Sequence, residues 1–381
     1  MSLIYLDHAA TTPVRPEVRE AMAPYLGDRF GNPSSHHSIG EAAAATLEDA
    51  RARVAAVLGM RRADVVFTSG GTESNNLAIK GIGLGAMLHR DARHVVTSAI
   101  EHESVLRSCD YLRRLHGFEV TTLPVDGDGI VDPDAVAAAV REDTALVTLG
   151  YANNEIGTVQ DAAAIAARTD RVPLHLDAVQ AAGWLSLART TTHADAISIA
   201  GHKIGAPQGT GVVGIRSRLP VEPVLHGGGQ ERERRGGTQN VAGVVGLATA
   251  LELAELERER ETARITTIRD ALVVGILAAV PGARLTGHPT RRLPGTASFV
   301  FPGTNGEAVL LELERLGFVT SSGSACAAGS DEPSHVLLAL GVSPDEARTA
   351  VRVTLGHSFA VPVESLVHAT TAAVAAVGSP T

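Results

Sequence analysis

The chain has 381 residues, 44% of them hydrophobic and 20% charged, so it can bury a large core and has the composition of an ordinary globular protein. Its net charge of −9 argues against a nucleic-acid-binding protein, which would normally carry a basic face. The two cysteines, Cys109 and Cys326, cannot form a disulfide framework, so we expect a reducing, cytoplasmic location. We expect no secretory signal, membrane helix or internal repeat.

From about residue 40 to residue 215, helical segments alternate with short β-branched runs. The first helix carries an apolar face formed by Leu47, Ala50, Val54, Val57 and Leu58. The predicted strands that follow are DVVFTS, HVVTSA, FEVTTLPV, ALVTLGY, VPLHLD and DAISIA. This alternation predicts βαβ units and a mostly parallel sheet with helices on both faces.

A long connecting helix is predicted from Val241 to about Arg264, and further helix and strand signals follow it. These signals predict a second, smaller α+β lobe. We therefore expect a large domain over residues 15–250. Residues 1–14 and 251–381 would form a small domain that carries Cys326.

Five polar stretches directly follow predicted strands. They are Gly70-Gly71-Thr72-Glu73, Glu101-His102, Asn153-Asn154-Glu155, Asp177 with Gln180, and Gly201-His202-Lys203. Any one of them alone would be an ordinary polar loop. In open α/β sheets, however, ligands bind beyond the carboxyl ends of the strands, so together these stretches predict one site.

The residue types in these stretches indicate a particular cofactor. Gly71 and Thr72 lie between a strand and a helix, where backbone N–H groups bind anions, although a tight turn is the alternative interpretation. Lys203 follows an apolar strand, where it either forms a Schiff base or extends its amine to water. Asp177 follows a neighbouring strand. Pyridoxal phosphate needs a lysine, an acid and a phosphate-binding turn, and this edge supplies all three.

Cys326 lies in the stretch SSGSACAAGS, residues 321–330, whose other nine residues are only Ser, Gly or Ala. Such a run favours a mobile loop that presents the thiol. Cys109, on one face of the helical stretch VLRSCDYL, is instead predicted to be a core residue. No histidine spacing indicates a metal site, and we predict none.

The chain closely resembles the cysteine desulfurases of the NifS/IscS type. The motifs that carry the resemblance include YLDHAATTP, FTSGGTESNNLAIKG, TSAIEHESVL, ANNEIGTVQ, HLDAVQAAG, AGHKIGAPQGTG, GGGQERERRGGTQNVAG and SSGSACAAGSDEPSHVLLALG. They stand in family order from residue 5 to about residue 356. The resemblance implies a pyridoxal-phosphate enzyme of the class V aminotransferase-like group with the aspartate-aminotransferase fold (fold type I). That fold has a mostly parallel seven-stranded sheet in the large domain and a smaller α+β domain.

The resemblance also implies roles for the cofactor-binding residues. Lys203 would carry the cofactor, Asp177 would hold the pyridinium proton, and Gln180 would bind the phenolic oxygen. His102 would stack on the ring and help to move protons. The remaining cofactor-binding residues would be Gly71, Thr72 and His202 near the phosphate, Asn153, and Thr238, which would reach the phosphate of a partner subunit. Thr238 therefore implies a homodimer.

Asn153 and Arg352 would also hold the substrate carboxylate, and Cys326 would be the nucleophile. The implied reaction converts L-cysteine to L-alanine and leaves sulfur on Cys326 as a persulfide. A sulfur-acceptor protein in iron–sulfur cluster assembly or a thiolation pathway would then receive it. Two alternatives stay open: a selenocysteine lyase or another aminotransferase-like enzyme of the same fold, and a non-catalytic scaffold that binds a sulfur-carrier partner.

Four positions depart from the family pattern. Ala200 stands where the family usually has a Ser that donates to the phosphate, and Gly236 replaces another Ser. His8 and His357 replace a common Asn and a usual Arg. The first two departures predict weaker retention of the cofactor.

Overall fold

This computed structural model describes residues 3–322 and 332–378. Its strands are β1 (Ile4–Tyr5), β2 (Val65–Thr68), β3 (His94–Ser98), β4 (Glu119–Leu123), β5 (Thr144–Gly150), β6 (Leu174–Asp177), β7 (Ala196–Ala200), β8 (Gly211–Ile215), β9 (Arg284–Leu285), β10 (Thr296–Val300), β11 (Phe318–Val319) and β12 (Ala350–Thr354).

Its helices are α1 (Pro16–Met22), α2 (Ser38–Leu58), α3 (Gly71–Asn76), α4 (Ile82–Arg90), α5 (Glu103–His116), α6 (Pro133–Ala139), α7 (Ala162–Ala166), α8 (Leu187–Thr190), α9 (Val241–Ala279), α10 (Gly306–Arg315), α11 (His335–Ala339), α12 (Pro344–Ala347) and α13 (Val363–Val377). A π-helical turn, Leu77–Gly81, joins α3 to α4, so helical backbone is continuous across this region. Among the described residues, no helix combines the length and the apolar character that crossing a bilayer would require.

The largest sheet has seven strands in the order β2-β8-β7-β6-β5-β3-β4. Strands β3 to β7 are mutually parallel, whereas β8 runs antiparallel to both of its neighbours, β2 and β7. Strands β2, β3, β6, β7 and β8 are buried along their whole length, as expected for a sheet covered on both faces. The predicted mostly parallel α/β fold is confirmed. The six predicted strands correspond to β2 to β7.

Helix α9 differs from its sequence prediction. The sequence pattern predicts an end near Arg264, but the helix continues to Ala279, 39 residues in all. No Gly or Pro interrupts the stretch from Arg264 to Asp270, so nothing stops the helix before the apolar run that follows. It ends two residues before Pro281.

Two core clusters divide the length of α9. Its first part places Leu247 and Leu251 in a cluster with α2 and the large sheet. Its second part places Leu272 and Ile276 in a cluster with the small antiparallel sheet of β9, β10 and β12. The exact domain limits, residues 15–250 against residues 1–14 and 251–381, stay a prediction.

A buried ion pair fixes the segment that leads to Thr238. Arg51 on α2 donates two hydrogen bonds to the Glu231 carboxylate, at 2.7 and 2.9 Å, and both side chains are almost fully buried. The same carboxylate accepts from the backbone N–H of Phe67 at 3.0 Å. Three consecutive non-glycine residues here, Glu231, Arg232 and Glu233, have φ values of 49°, 59° and 65°. Such backbone is costly, so the ion pair holds a strained turn in place.

We expect Arg51→Met to lower the free energy of unfolding by about 3–5 kcal/mol, because it leaves the Glu231 carboxylate buried without its cation. Arg53→Met on the same helix is the control. Its partner, Glu252, is 41% exposed, so the loss should stay below about 1 kcal/mol. Urea unfolding of the two variants measures the difference, and equal losses would contradict this account.

Candidate active site

A cavity of about 720 Å³ lies at the carboxyl edge of the parallel strands. The structure brings nine of the predicted site residues to its walls: Gly71, Thr72, His102, Asn153, Asp177, Gln180, His202, Lys203 and Arg352. They come from five different strand ends and from the small sheet, so the strand order of the fold assembles this site.

The predicted phosphate-binding turn lies at the start of α3. This helix begins at Gly71, directly after β2, so the N–H groups of its first turn have no partner within the helix. A Cβ atom on Gly71 would lie 2.7 Å from Val179 Cγ2, and one on Gly211 would lie 2.5 Å from Gly70 Cα. Both contacts are too short for any side chain, so glycine is required for the backbone to approach this closely.

Asp177 is held rigidly at the end of β6. Its Oδ2 accepts from Asn75 Nδ2 at 2.6 Å, and its Oδ1 accepts from the backbone N–H of Val179 at 3.0 Å. These two donors hold the largely buried carboxyl group in one orientation. A carboxyl group held at this position is what a pyridinium nitrogen requires.

Lys203 lies in a short 3₁₀ turn that follows β7. Its Nζ donates to the carbonyl oxygens of Ala9 and Ala10, the latter at 2.6 Å. Gln180 Nε2 also donates to the Ala9 carbonyl, at 3.0 Å. The N-terminal segment therefore lies directly beside both predicted cofactor ligands. The chain contains only two lysines, Lys80 and Lys203, and only the second lines this cavity.

The two histidines of the site have different surroundings. Burial, together with the neighbouring Lys203 charge, lowers the pKa of His202 to about 4, so its ring is neutral at pH 7. Its Nδ1 lies 3.2 Å from Thr11 Oγ1. His102 caps the N-terminus of α5, where its Nδ1 accepts from the backbone N–H of Ser104 at 3.0 Å.

The two predicted substrate ligands already make contacts within the chain. Asn153 Oδ1 accepts from the backbone N–H groups of Glu155 and Ile156, and its Nδ2 donates to the Ile100 carbonyl at 2.8 Å. Arg352 pairs with Asp7 at 2.7 Å and donates to a backbone carbonyl. Both side chains line the cavity, and their binding of a carboxylate stays a prediction.

One described residue of the predicted site does not line this cavity. Thr238 lies at a separate small cavity together with Arg235 and Gln239. Cys326 lies outside the described residues. The described chain on either side of it is close to the site: Ser321 pairs through its backbone with Arg352, and Glu332 lines the cavity.

Cys109 is a core residue, as predicted. It is buried among the apolar side chains of α4, α5 and β3, and burial raises the pKa of its thiol to about 12. A thiol in this environment is not a nucleophile at neutral pH.

The sequence pattern does not reveal three features of the site: Asn75, Ser104 and the chemical state of Glu101. Asn75 and Ser104 lie inside helices, and no strand-end signal marks them.

Glu101 is buried beside Gly150. Its Oε1 accepts from Ser98 Oγ at 2.5 Å, and the backbone of Gly150 lies against the same carboxyl group. Burial raises the pKa of Glu101 to about 8, so it is protonated at pH 7.

The site fits pyridoxal 5′-phosphate. A lysine, a rigidly held acid and a helix start whose first N–H groups have no partner within the helix surround one cavity. The glycines at positions 71 and 211 allow the turn to pack closely against Val179 and β8. Together with the mostly parallel sheet, this arrangement defines the pyridoxal-phosphate enzymes of fold type I.

Comparisons with known proteins specify the family. The class-V aminotransferase family model matches residues 4–361. The cysteine desulfurase IscS of Dictyoglomus turgidum is 44% identical over 93% of this chain and 89% of that protein. The one of Methanosarcina thermophila is 45% identical over 93% and 87%. A solved structure of a NifS-like protein superposes with a TM-score of 0.88 at 34% identity, covering 98% of this chain and 99% of that one.

This chain therefore belongs to the class-V aminotransferase family and, within it, to the pyridoxal-phosphate-dependent cysteine desulfurases. The predicted family, fold type and cofactor are confirmed.

The protonated state of Glu101 predicts a pH dependence. Its pKa is raised in the folded chain, so between about pH 4.5 and pH 8 the folded state binds a proton that the unfolded state has released. The stabilisation from this group is therefore full below pH 4.5 and is lost as pH rises toward 8. Glu101→Gln abolishes this titration, so the wild-type protein should lose stability relative to the variant as pH rises.

Urea unfolding of both proteins at about pH 5 and about pH 8 measures this difference. Glu103→Gln, two residues further along the chain, is the control, because its side chain is 42% exposed. If the difference in free energy of unfolding between the wild-type protein and Glu101→Gln is the same at both pH values, Glu101 is ionised in the folded chain.

Proposed function

We propose that this chain removes sulfur from L-cysteine, releases L-alanine and carries the sulfur as a persulfide on Cys326 to an acceptor. The observation that carries the proposal is the cavity in which nine residues of the predicted site meet. Family membership and the similarity to named cysteine desulfurases support it.

The cofactor would be held by Lys203 at its aldehyde, Asp177 at its pyridinium nitrogen, and Gly71 and Thr72 at its phosphate. When bound, pyridoxal phosphate accepts the electrons released when the substrate Cα–H bond breaks. Lys203 would move that proton, and the neighbouring carbonyls of Ala9 and Ala10 would orient its amine.

Arg352 would bind the substrate carboxylate, because a guanidinium group can grip both of its oxygens. This grip requires Arg352 to exchange part of its contact with Asp7 or Asn154 for the substrate. Its position next to Ser321 would bring the substrate close to the chain segment that contains Cys326.

In the sulfur-transfer step, the Cys326 thiolate attacks the substrate sulfur and forms an S–S bond. The Cβ–S bond of the substrate breaks, and its electron pair stays with the carbon skeleton. Protonation of that carbon gives L-alanine, so one cysteine and one thiol become one alanine and one persulfide. Small residues on both sides of Cys326 allow a close approach of the thiol to the substrate.

We propose the finer assignments on the same basis. Thr238 would contact the phosphate of a partner subunit, because it lies away from the cavity of its own chain. The protein would then be a homodimer. Its two cysteines, which cannot form a disulfide framework, support a cytoplasmic location. The acceptor would be a protein of iron–sulfur cluster assembly or of a thiolation pathway.

The sulfur-transfer step is tested by brief exposure of the purified protein to L-cysteine without reductant, followed by peptide mass analysis. We expect one added sulfur on the peptide that contains Cys326, with L-alanine in solution. The buried Cys109 serves as the control within the same molecule and should stay unmodified. Cofactor-loaded protein that forms alanine without sulfur on Cys326 would contradict the proposed carrier.

The Ala200 departure makes a second prediction. Ala200 lies beside the phosphate-binding turn, since its Cβ is 3.4 Å from the position of a Cβ on Gly71. Ser198 cannot replace the missing hydroxyl, because it bonds His175 inside the sheet. Ala200→Ser would add a donor to a charged group, worth about 1.5–3 kcal/mol, and should tighten cofactor binding by about one to two orders of magnitude.

Gly236→Ser is the matched variant. A Cβ at Gly236 would lie only 2.6 Å from Gly227 N, so this substitution should bring no gain in affinity. Titration of the cofactor-free variants with pyridoxal phosphate, followed by fluorescence, separates the two. If Ala200→Ser binds pyridoxal phosphate no more tightly than the wild-type chain, the phosphate does not lie beside residue 200.

A further inference from the structure

A continuous set of hydrogen bonds links His102 to Asp177 through two residues to which no role has been assigned. Asn75 Nδ2 lies 2.6 Å from Asp177 Oδ2 and 2.9 Å from Ser104 Oγ. Ser104 Oγ lies 2.8 Å from His102 Nδ1. Asn75 and Ser104 are 1% and 7% exposed, so water contributes little to these contacts.

Chemistry fixes the direction of every bond in this chain. The Asp177 carboxylate can only accept, so the Asn75 atom that faces it must be its NH₂ group. That NH₂ group has two protons and also donates to Ser104 Oγ. The backbone N–H of Ser104 donates to His102 Nδ1 at 3.0 Å, so this nitrogen is an acceptor and Ser104 Oγ donates its single proton to it.

His102 Nδ1 thus accepts from two donors and carries no proton. In the neutral ring the proton must then reside on Nε2. Asn75 Oδ1 is buried and has no partner among the described residues, so the hydrogen bonds of this side chain are the two that its NH₂ group donates. Leaving that oxygen unpaired has a cost, which indicates that the orientation toward Asp177 and Ser104 is required.

We propose that Asn75 and Ser104 are positioning residues that orient the Asp177 carboxylate and fix the His102 tautomer as one coupled unit. The inference rests on the proposed function, with His102 stacked on the same cofactor ring that Asp177 would bind, as the family resemblance implies. The two helices that supply these residues, α3 and α5, pack directly against each other. A substitution at Asn75 would therefore alter the hydrogen bonding of His102 through Ser104, although the Asn75 and His102 side chains share no hydrogen bond.

The first measurement is the tautomer of His102 in protein labelled with ¹⁵N-histidine, with the His102 signal assigned from His102→Gln. It is made on the cofactor-free and the cofactor-loaded chain. We expect an unprotonated Nδ1 and a protonated Nε2 in the wild-type chain. Asn75→Ala and Ser104→Ala should both shift the Nδ1 signal, the former only through Ser104.

The second measurement is the dissociation constant of pyridoxal phosphate. Asn75→Ala removes a hydrogen bond to a charged group and should raise this constant about tenfold. Ser104→Ala should raise it less, and the double variant should show less than the sum of the two effects, as for residues in one network.

Ser108→Ala is the matched control. Ser108 lies one turn further along α5 and donates to the Ser104 carbonyl, outside the side-chain network. It should leave the His102 signal and the cofactor affinity unchanged.

A protonated Nδ1 in the wild-type chain, or an Asn75→Ala variant with an unshifted His102 signal, would overturn the inference. These outcomes differ from failure of the proposed function. A wild-type chain that binds no pyridoxal phosphate would refute that function, whereas the tautomer in the cofactor-free chain would still report on the network.

Discussion

The parallel pairing of β5, β6 and β7 is the constraint on which the site depends. In this register, Gly150 of β5 lies beside Asp177 of β6, and Asp177 lies beside Ser198 of β7. The three strands therefore end at one edge, and each continues into a segment that contributes to the cavity. A shift of one residue in any strand would turn its terminal side chain to the opposite face of the sheet. The buried, apolar strand interiors fix the register and, with it, the position of the acid and of the lysine.

A second constraint comes from the N-terminal segment, which joins the small sheet to the site. The Asp7 carboxylate pairs with Arg352 on β12, and the Ala9 backbone N–H donates to Thr354 Oγ1. The next carbonyls in this segment accept from Lys203. These contacts hold parts of both core clusters around one cavity. Lys203, which would move the substrate Cα proton, and Arg352, which would bind the adjacent carboxylate, are connected through fewer than five residues of chain.

Much of this can be predicted from the sequence, because β-branched runs followed by polar residues mark strand ends. That signal is sufficient to identify Asp177, Lys203 and the Gly71 turn. It cannot identify Asn75 and Ser104, since both lie within helices and act through contacts made only after the helices pack. The predicted end of α9 near Arg264 is wrong. The apolar pattern weakens there, but a helix continues until a residue such as Gly or Pro stops it, and none follows directly. The contacts that occupy Asn153 likewise depend on a turn that the sequence does not specify.

Lys203 as the attachment point of pyridoxal phosphate is the central claim, and the scarcity of lysine makes its test direct. Borohydride treatment of the cofactor-loaded protein fixes the cofactor to the lysine that carries it, and peptide mass analysis then locates it. Lys80 is the other lysine, and its Nζ lies over the Tyr111 ring at 4.1 Å, away from the cavity. This account predicts the label on Lys203 and none on Lys80. Label on Lys80, or loaded protein with no labelled lysine, would contradict it.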